Sequence, residues 1–282
     1  MIQGMKIVVT GGSGFIGSHL VNELSKSNTV INIDSRQGKD ITDLETLKRE
    51  FEGVDYVFHL AALISVQESS DNSKKYFEIN TLGTLNVLSA AKEAGVKKVI
   101  FPSSASIYGD NPTPHKENML PSPLSLYAIT KMDGEYLMKM FKDIYGLNTT
   151  VIRFFNVYGP GQEKGVISKF IKNALKNEEI ILQGGEQTRD FVYVKDVVRI
   201  LIRSLEKDVD LVNFGTGNSV NVRELADKII SLTNSNSKIE KRGQAKGEVL
   251  KSQADMSKAG SLGFNSEYSL DQGLKETIES FK

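Results

Sequence analysis

The chain has 282 residues, of which 39% are hydrophobic, which is enough to bury the core of one large domain or two closely joined domains. Lysine plus arginine equals aspartate plus glutamate at 35 each, so neither nucleic acid nor an acidic membrane surface is an expected partner. With no cysteine and three scattered histidines, the sequence offers no disulfide, no thiol nucleophile and no pattern typical of a metal site.

The N-terminal residues run directly into a predicted strand, without the apolar segment that marks a signal peptide. No apolar run is long enough to cross a bilayer. We therefore expect a soluble cytoplasmic protein with small-molecule partners.

Short β-branched segments alternate with stretches of helical periodicity over the first half of the chain. This alternation is typical of βαβ units, and the nearly continuous apolar character of the strands indicates helices on both faces of a parallel sheet. The pattern predicts an α/β fold with a Rossmann-type, doubly wound parallel sheet. The predicted strands are residues 6–9, 30–33, 55–60, 97–101 and 149–154.

A glycine-rich turn, GGSGFIG, joins the first predicted strand to the first helix. Such a turn lets the backbone approach a pyrophosphate at the N-terminus of the helix. Gly12, Gly14 and Gly17 fit the GxGxxG pattern, whereas Gly11, Gly14 and Gly17 fit the wider GxxGxxG pattern. Both registers predict a dinucleotide site, and the sequence leaves the choice between them open.

Asp34 ends the second predicted strand, about twenty residues beyond the glycines, where a carboxylate accepts hydrogen bonds from the adenosine ribose. A carboxylate there also repels the extra phosphate of NADP, so the sequence favours NAD as the cofactor. Arg36 is a counter-signal, because an arginine just beyond this strand can receive that phosphate. The alternative role of Arg36 is that of a solvated loop cation.

Tyr127 and Lys131 are four residues apart in a predicted helix, so they share one face of it. A free tyrosine has a pKa of about 10, and a lowering by about three units corresponds to about 4 kcal/mol. One nearby cation lowers such a pKa by about one to three units. We therefore expect Lys131, together with the positive nicotinamide ring of NAD, to make Tyr127 a base.

The regular alternation ends after Tyr158, and turn-rich segments follow. We predict a smaller mixed α/β substrate-binding lobe at the C-terminal side. Arg189 is the best candidate for a guanidinium that grips phosphate oxygens, and its alternative role is a salt bridge to Asp190 or Asp196. The predicted boundaries are residues 1–156 for the NAD-binding domain, rejoined by about 191–215, with 157–190 and 216–282 for the lobe.

Ordered motifs along almost the whole chain resemble those of the extended short-chain dehydrogenases/reductases. Among these, the resemblance is to NAD-dependent nucleotide-sugar epimerases similar to UDP-glucose and UDP-N-acetylglucosamine 4-epimerases. The motifs are TGGSGFIG from Thr10, DIT from Asp40, HLAA from His59, NTLGT from Asn80, SSASIYG from Ser103, YAITK from Tyr127, RFFNVYGP from Arg153 and TRDFVYVKD from Thr188.

The resemblance implies a catalytic set of Ser104, Tyr127 and Lys131. Tyr127 would take a proton from a sugar hydroxyl, Ser104 would share the developing charge on that oxygen, and Lys131 would hold the nicotinamide ribose. Without the tyrosine motif, Ser103 and Ser104 would read as an ordinary pair at a strand end. The implied cofactor contacts are Gly11, Gly14, Phe15, Ile16, Gly17, Asp34, Asp40, Ile41, Leu60, Ala61, Ala62, Asn80, Ser103, Tyr127, Lys131 and Phe154.

The same resemblance implies a UDP-sugar site in the C-terminal lobe. The small residue Ser252 stands at the position that limits bulk at carbon 2 of the sugar, so an N-acetyl group is expected to fit. An arginine usual in the family is replaced by Ala245, and Lys246 or Arg242 is the candidate substitute. The implied substrate contacts are Ser104, Tyr127, Asn156, Val166, Leu182, Arg189 and Ser252.

The implied reaction depends on two positions after Ser104. Sugar dehydratases carry an acidic pair where this chain has Ala105 and Ser106, and decarboxylating relatives also use an extra carboxylate. We therefore expect 4-epimerisation of a UDP-sugar through a transient 4-keto intermediate.

Two other functions stay open from the sequence. One is a nucleotide-sugar or small-alcohol oxidoreductase that releases NADH, and the other is a non-catalytic, NAD-sensing binding module. The resemblance also implies a homodimer, built from the helix that carries Tyr127 and the helix after Asn80.

Overall fold

The computed structural model describes residues 2–243 and 249–282. These residues form two compact units, each assembled from separate stretches of the chain. The first unit comprises residues 1–109, 120–153 and 198–212, and the second comprises residues 110–119, 154–197 and 213–282. The predicted NAD-binding domain, residues 1–156 rejoined by about 191–215, differs from this division. Residues 110–119, 154–156, 191–197 and 213–215 belong to the second unit.

The strands are, in chain order, β1 (Lys6–Thr10), β2 (Thr29–Ile33), β3 (Tyr56–His59), β4 (Lys98–Ser104), β5 (Thr149–Phe154), β6 (Asn156–Tyr158), β7 (Ile180–Gln183), β8 (Thr188–Tyr193), β9 (Leu211–Phe214), β10 (Ser219–Asn221) and β11 (Ile239–Arg242). The helices are α1 (Phe15–Leu24), α2 (Leu44–Glu50), α3 (Val66–Asp71), α4 (Ser73–Tyr76), α5 (Gly83–Glu93), α6 (Leu126–Tyr145), α7 (Val166–Leu175), α8 (Val194–Ser204), α9 (Val222–Thr233), α10 (Ser257–Ser261) and α11 (Leu270–Glu279).

The central sheet has six strands in the order β2-β1-β3-β4-β5-β9, and the pairs β2-β1, β1-β3 and β3-β4 are parallel. The predicted Rossmann-type α/β fold is confirmed. The end of β4 differs from the prediction, because this strand runs on to Ser104 rather than stopping at Phe101. This extension carries Ser103 and Ser104 to the carboxyl edge of the sheet, where ligands bind in open α/β folds.

Apolar side chains from the sheet and from α2, α5 and α6 form the core of the first unit, including Val8, Val57, Val99 and Phe141. A Cβ atom added to Gly134 on α6 would come within 2.5 Å of the Phe101 ring on β4. The absence of a side chain at Gly134 therefore lets α6 pack closely against the strand that ends at Ser104.

The helical stretch between α4 and α5 contains a π-helical segment, Phe77–Leu82, and Asn80 lies within it. π-Helical turns are rare and occur mostly as single turns inside α-helices, often at functional sites. Here the segment belongs to the helical stretch that packs against α6.

The second unit contains two small sheets. In one, β8 lies between β10, which is antiparallel to it, and β6, which is parallel to it. In the other, β7 and β11 are parallel. Its helices α7 and α9 pack against each other, which gives the mixed α/β lobe that the sequence predicts.

Candidate active site

The glycine turn closes tightly on itself between β1 and α1. Gly11 has a φ of 70°, a conformation that favours glycine, and its carbonyl oxygen accepts a hydrogen bond from Gly14 N at 3.0 Å. A Cβ atom at Gly11 would come within 2.7 Å of Ala61 N, and one at Gly17 would overlap the Gly11 carbonyl oxygen. The turn has room for backbone only, as a pyrophosphate cradle requires.

The four glycines of the turn are all closely surrounded. A Cβ at Gly17 would meet the Gly11 carbonyl oxygen and the Gly12 Cα, and a Cβ at Gly12 would meet the side chain of Asn32. Both registers therefore stay open. Helix α1 begins directly after Gly14, so the amides of its first turn precede the first intrahelical hydrogen bond and face an incoming anion.

Asp34 follows β2, next to the glycine turn, and only 8% of its surface is exposed. Its carboxylate accepts hydrogen bonds from Ser13 N at 2.9 Å and from Arg36 N at 3.0 Å. The exposed Arg36 donates through Nη1 to the carbonyl oxygen of Ser13 at 2.8 Å. Arg36 is thus bonded to the turn, rather than being a freely solvated loop cation.

Two of the predicted cofactor contacts, Asp40 and Ile41, lie on the loop after β2. Asp40 accepts hydrogen bonds from the amide and the hydroxyl of Thr42, each at 2.9 Å. The Ile41 side chain packs on Gly83 and keeps 4% of its surface exposed. Most of the Ile41 side chain therefore belongs to the core, which leaves the backbone as its main surface for a ligand.

The loop after β3 is fixed to the end of β1. Leu60 N donates to the Thr10 carbonyl at 3.0 Å, and Ala61 N donates to the Thr10 hydroxyl at 3.1 Å. Because the backbone of Ala61 also lies against Gly11, Leu60 and Ala61 adjoin the turn as the sequence predicts for cofactor contacts. Ala62 follows them in the same loop and is half-buried.

A buried histidine connects this loop to the π-helical segment. His59 Nδ1 lies 2.7 Å from the Thr10 hydroxyl, and Nε2 lies 2.9 Å from the Thr84 hydroxyl, which itself donates to the Asn80 carbonyl. The Thr84 hydroxyl must therefore accept a hydrogen bond from the Nε2–H group, and the ring is neutral with the proton on Nε2. Burial, followed by the charge of Lys131, lowers the pKa of His59 to about 3.

Asn80 continues this chain of hydrogen bonds to the helix that carries Tyr127. Its side-chain oxygen accepts from Leu63 N at 2.8 Å, and its Nδ2 donates to the Leu63 carbonyl and to the Thr130 hydroxyl, both at 2.9 Å. Thr130 in turn donates to the Tyr127 carbonyl at 2.8 Å. Asn80 therefore fixes the loop and α6 relative to each other.

The catalytic set predicted from the sequence comes together at the end of β4. Ser104 Oγ accepts a hydrogen bond from Ser106 N at 3.1 Å, and the Ser104 side chain acts to lower the pKa of the Tyr127 hydroxyl. Lys131, one turn along α6, donates to the Pro102 carbonyl at 2.8 Å, and its Nζ lies 4.7 Å from the centroid of the Phe101 ring.

Burial opposes charge on both of these α6 side chains. It raises the pKa of Tyr127 to about 12, although the hydrogen bond from Ser104 acts in the opposite direction. It also lowers the pKa of Lys131 to about 8, against the effect of the Glu135 charge. The expectation that Lys131 lowers the pKa of Tyr127 is thus not met by the protein groups alone, because the ammonium bonds to Pro102.

Two charged residues beside this set were missed by the sequence analysis. Glu135, four residues after Lys131, pairs with Arg153 at the end of β5 at 2.7 Å, and the Arg153 guanidinium also donates to the Tyr108 hydroxyl at 2.8 Å. The Ser103 hydroxyl donates to Glu135, so it is used within the protein. The i, i+4 spacing from Lys131 was the available signal for Glu135.

Five of the predicted substrate contacts lie in the second unit, several of them around β8, whereas Ser104 and Tyr127 belong to the first unit. Arg189 donates through Nη1 to the Thr188 carbonyl at 3.0 Å and to the Leu250 carbonyl at 3.4 Å. Ser252 N donates to the same Thr188 carbonyl at 3.1 Å, and Asn156 on the adjacent β6 pairs in register with Phe191. Arg189, Ser252 and Asn156 are therefore brought to one short strand.

Three other predicted positions have different surroundings. Phe154 is buried and makes an edge-to-face contact with Phe214 at 6.2 Å between ring centroids, which leaves 5% of its surface for a cofactor. Leu182 is 2% exposed on β7, and Val166 begins α7, which packs against that strand. Val166 and Leu182 thus lie on adjacent elements.

Ala245 and Lys246 lie outside the described residues. The other candidate for the missing cation, Arg242, is exposed at the end of β11 and pairs with Glu240 at 2.8 Å. Asp190, a suggested partner of Arg189, is fully buried and accepts hydrogen bonds from the amides of Thr216, Gly217 and Ala254 at 2.8 to 3.1 Å.

Comparison with known proteins identifies the family. A sequence model of the NAD dependent epimerase/dehydratase family matches residues 7–222. The chain belongs to this family. It is therefore an enzyme of the NAD-dependent epimerase/dehydratase family, and its cofactor is NAD, for which the glycine turn and Asp34 provide a fitting site.

Several members of the family resemble the chain over nearly its full length. A UDP-glucose 4-epimerase from Thermotoga maritima, solved with UDP-glucose, is 38% identical with a TM-score of 0.95, and the match covers 98% of both chains. A UDP-N-acetylglucosamine 4-epimerase from Methanobrevibacter ruminantium, in complex with UDP-N-acetylmuramic acid, is 35% identical with a TM-score of 0.95 over 99% of both chains. A putative UDP-glucose 4-epimerase from Methanocaldococcus jannaschii is 38% identical over 98% of both proteins.

The family members similar to this chain also differ in reaction. A UDP-N-acetyl-alpha-D-glucosaminuronate decarboxylase from Bacillus cytotoxicus is 34% identical over 98% of both proteins. A UDP-glucose 4-epimerase from Thermus thermophilus, solved with NAD, is 30% identical with a TM-score of 0.92 and covers 98% of this chain and 99% of its own. In the part of this chain that the structure describes, no helix combines the length and apolar character needed to span a membrane.

Proposed function

We propose that this enzyme interconverts UDP-sugars that differ in configuration at carbon 4, through a transient 4-keto intermediate. The observation that carries the proposal is the set of Ser104, Tyr127 and Lys131 at the carboxyl edge of the sheet that also bears the glycine turn. The candidate substrate pairs are UDP-glucose with UDP-galactose and UDP-GlcNAc with UDP-GalNAc.

Each member of the set has a separate task. Ser106 N donates to Ser104 Oγ, so the Ser104 hydroxyl proton is free to point toward the Tyr127 oxygen or toward a sugar oxygen. Tyr127 takes the proton of the 4-hydroxyl and returns it after the sugar has turned, while Ser104 stabilises the charge on the sugar oxygen. Lys131 holds the nicotinamide ribose.

When bound, NAD supplies the hydride acceptor and donor, together with the positive charge of its nicotinamide ring. Its adenosine half would lie at Asp34 and the loop after β2, and its pyrophosphate at Gly11, Gly14 and the first amides of α1. With the protein groups alone, the pKa of Tyr127 is about 12. Tyr127 therefore needs a further positive charge nearby in order to act as a base.

The residues after Ser104 support epimerisation over dehydration and decarboxylation. Ala105 and Ser106 offer neither an acid nor a base of the carboxylate type, so no group at these positions removes a second proton or a carboxyl group. Ser106 Oγ is buried and has no hydrogen-bond partner among residues 2–243 and 249–282. We infer that this hydroxyl bonds to the bound sugar.

The sugar and its diphosphate would lie along β8. Arg189 provides a planar, bidentate donor for phosphate oxygens, and Asn156 provides an amide for the sugar or the phosphates. Val166 and Leu182 would border the uracil ring. Because Ser252 is small, we infer that the acetylated pair is a substrate alongside the plain pair.

A product analysis tests this proposal. The protein is incubated with UDP-glucose, UDP-galactose, UDP-GlcNAc and UDP-GalNAc in turn, and the sugars are resolved by proton NMR without added cofactor. Conversion of each member of a pair into the other is expected, with NAD retained by the protein. In a second incubation with added NAD, accumulation of NADH in proportion to that NAD would contradict epimerisation and favour a net oxidoreductase. NAD binding without conversion of any sugar would favour a binding module.

We also propose that the enzyme is a homodimer that pairs through α6 and the π-helical stretch. These neighbouring helices expose the large apolar or aromatic side chains Leu82, Tyr136 and Ile144, at 47%, 61% and 66%. Exposed apolar groups of this kind commonly mark protein interfaces. Sedimentation at micromolar concentration is expected to give the mass of a dimer and to give a monomer after Leu82→Glu, and a monomeric mass for the unaltered protein would contradict the proposal.

A further inference from the structure

A buried ion pair lies one helical turn beyond Lys131. Glu135 accepts hydrogen bonds from Arg153 Nε at 2.9 Å and Nη2 at 2.7 Å, a bidentate arrangement in which the two side chains are 12% and 5% exposed. The Ser103 hydroxyl donates to the same carboxylate. This cluster links α6, β4 and β5, two of which also carry the proposed catalytic residues.

Several charged or titratable groups face Lys131 or its neighbours from the surrounding elements. His59 faces it from β3 and is neutral, Tyr127 and Glu135 share its own helix, and Arg153 faces Glu135 from β5. The Tyr76 phenol of α4 acts to raise the pKa of Tyr127.

Glu135 supplies the negative charge that acts on Lys131. Burial lowers the pKa of Lys131 to about 8, and the Glu135 charge opposes that shift. Arg153 orients the carboxylate toward β5. Burial lowers the pKa of Arg153, but its bonds to Glu135 and Tyr108 outweigh that effect and raise the pKa, so Arg153 stays charged.

We propose that Glu135 is a positioning residue of the NAD site, whose carboxylate keeps Lys131 in its ammonium form while Arg153 holds that carboxylate in place. An ion pair that served only the fold would gain little from its charges, because the cost of burying two charges commonly cancels their attraction. The Glu135 carboxylate lies one helical turn from Lys131 and also accepts a hydrogen bond from Ser103 on the strand of Ser104. Its charge therefore acts on the reacting groups. The inference rests on the proposed role of Lys131 at the nicotinamide ribose.

Equilibrium dialysis of the holoenzyme against NAD, from about pH 6 to about pH 10, tests the inference without any sugar substrate. NAD affinity is expected to fall as Lys131 loses its proton, since an ammonium is the stronger hydrogen-bond donor. The midpoint of that fall is expected near the Lys131 pKa of about 8 in the unaltered protein. In Glu135→Gln it is expected lower by about one unit or more.

Arg153→Met is the matched control. It breaks the same buried ion pair and disturbs the same packing, but it leaves the Glu135 carboxylate beside Lys131, because the Ser103 hydroxyl still donates to that carboxylate. Its midpoint is expected to equal or exceed that of the unaltered protein. A purely structural role for the pair predicts no movement, or the same movement in both variants, and either result overturns the inference.

Two further variants cover the remaining outcomes. If a single variant does not fold, the double variant Glu135→Gln with Arg153→Met replaces it, because it leaves neither charge of the pair buried without a partner. The midpoint of the double variant is expected below that of the unaltered protein. An equal midpoint overturns the inference. In Lys131→Met the pH-dependent fall is expected to disappear. If the fall persists there, Lys131 does not govern NAD binding, and the inference fails even where sugars are epimerised.

Discussion

The first unit positions the helix of Tyr127 through a series of side chains, whereas in the second unit the predicted phosphate ligand Arg189 is bonded to backbone. In the first, His59, Thr84, Asn80 and Thr130 form a continuous series of hydrogen bonds that ends at the Tyr127 carbonyl. In the second, Arg189 donates to two backbone carbonyls. A series of side chains fixes a few groups in one arrangement, which suits a reaction, while backbone anchors leave neighbouring side chains free to differ with the substrate.

The largest effect is expected at the reacting tyrosine of the first unit. Tyr127→Phe removes the proton acceptor and keeps the ring, so turnover is expected to fall by about 10²- to 10⁴-fold. NAD bound per chain, measured after denaturation, is expected to be unchanged. Tyr145→Phe, at the exposed end of the same helix, is the control and should keep full activity; undiminished turnover in Tyr127→Phe would remove the mechanism.

A substitution in the glycine turn tests how little added side-chain volume the first unit tolerates. In Gly17→Ala the new methyl group overlaps the Gly11 carbonyl, so the turn must open. Overpacking of this kind costs about 1–3 kcal/mol, and NAD affinity is expected to fall with the free energy of unfolding. Gly260→Ala is the control, since its added Cβ meets nothing within 4 Å. Calorimetry of NAD binding to both variants compares them, and equal affinities would contradict the tight turn.

Substitution at Ser252 tests whether side chains of the second unit are free to differ with the substrate. Ser252→Tyr is expected to reduce turnover of UDP-GlcNAc by at least about tenfold relative to UDP-glucose, because a tenfold ratio needs only about 1.4 kcal/mol of steric cost. Ser257→Tyr, at an exposed position, should leave the ratio unchanged. Competition between the two sugars gives the ratio directly. An unaltered ratio in Ser252→Tyr would refute the size argument.

A further effect is expected on stability rather than activity, as a pH dependence that comes from His59. Its pKa in the folded protein is about 3, against about 6.5 in the unfolded chain, so the unfolded chain binds the extra proton. The stabilisation is fully present above about pH 6.5 and decreases as the pH falls toward about 3, by about 2 kcal/mol between about pH 7 and about pH 5.

Urea unfolding at these two pH values measures that loss. His59→Phe removes one hydrogen-bond partner from each of two threonine hydroxyls and lowers stability at both values, but it is expected to lose about 2 kcal/mol less on acidification than the unaltered protein. Equal losses in the two proteins would show that the buried ring does not govern the acid sensitivity of the first unit.

The sequence predicts the local parts of the first unit well. The strands and the glycine turn follow from apolar runs and glycine spacing within short segments, and Rossmann-type architecture follows from their alternation. The pairing of Glu135 with Arg153 was not predicted, because it joins a helix to a strand through tertiary packing that no spacing in the sequence encodes. The raised pKa of Tyr127 was missed for the same reason, since burial of its hydroxyl depends on the assembled fold.

In the second unit the sequence predicts less. Residues 110–119 join this unit through contacts distant in the chain, such as the hydrogen bond from Asn213 N to Glu117 at 2.8 Å, and the predicted boundary could not include them. Around Arg189 the sequence indicated a cation for phosphate and a possible acidic partner. It does not indicate that the Asp190 carboxylate accepts hydrogen bonds from three backbone amides.

The π-helical segment that contains Asn80 determines the direction in which the side chains of the preceding helix, α4, point. A π turn contains one residue more than the α-helical turn it replaces, so each side chain of α4 is rotated by about 100° from where an uninterrupted α-helix would carry it. Deleting a single residue between Phe77 and Leu82 would remove the extra residue and turn Tyr76 away from the carbonyl of Ser65, to which its hydroxyl now donates at 2.8 Å. The length of this segment, as much as the identity of its residues, is therefore part of what the first unit requires.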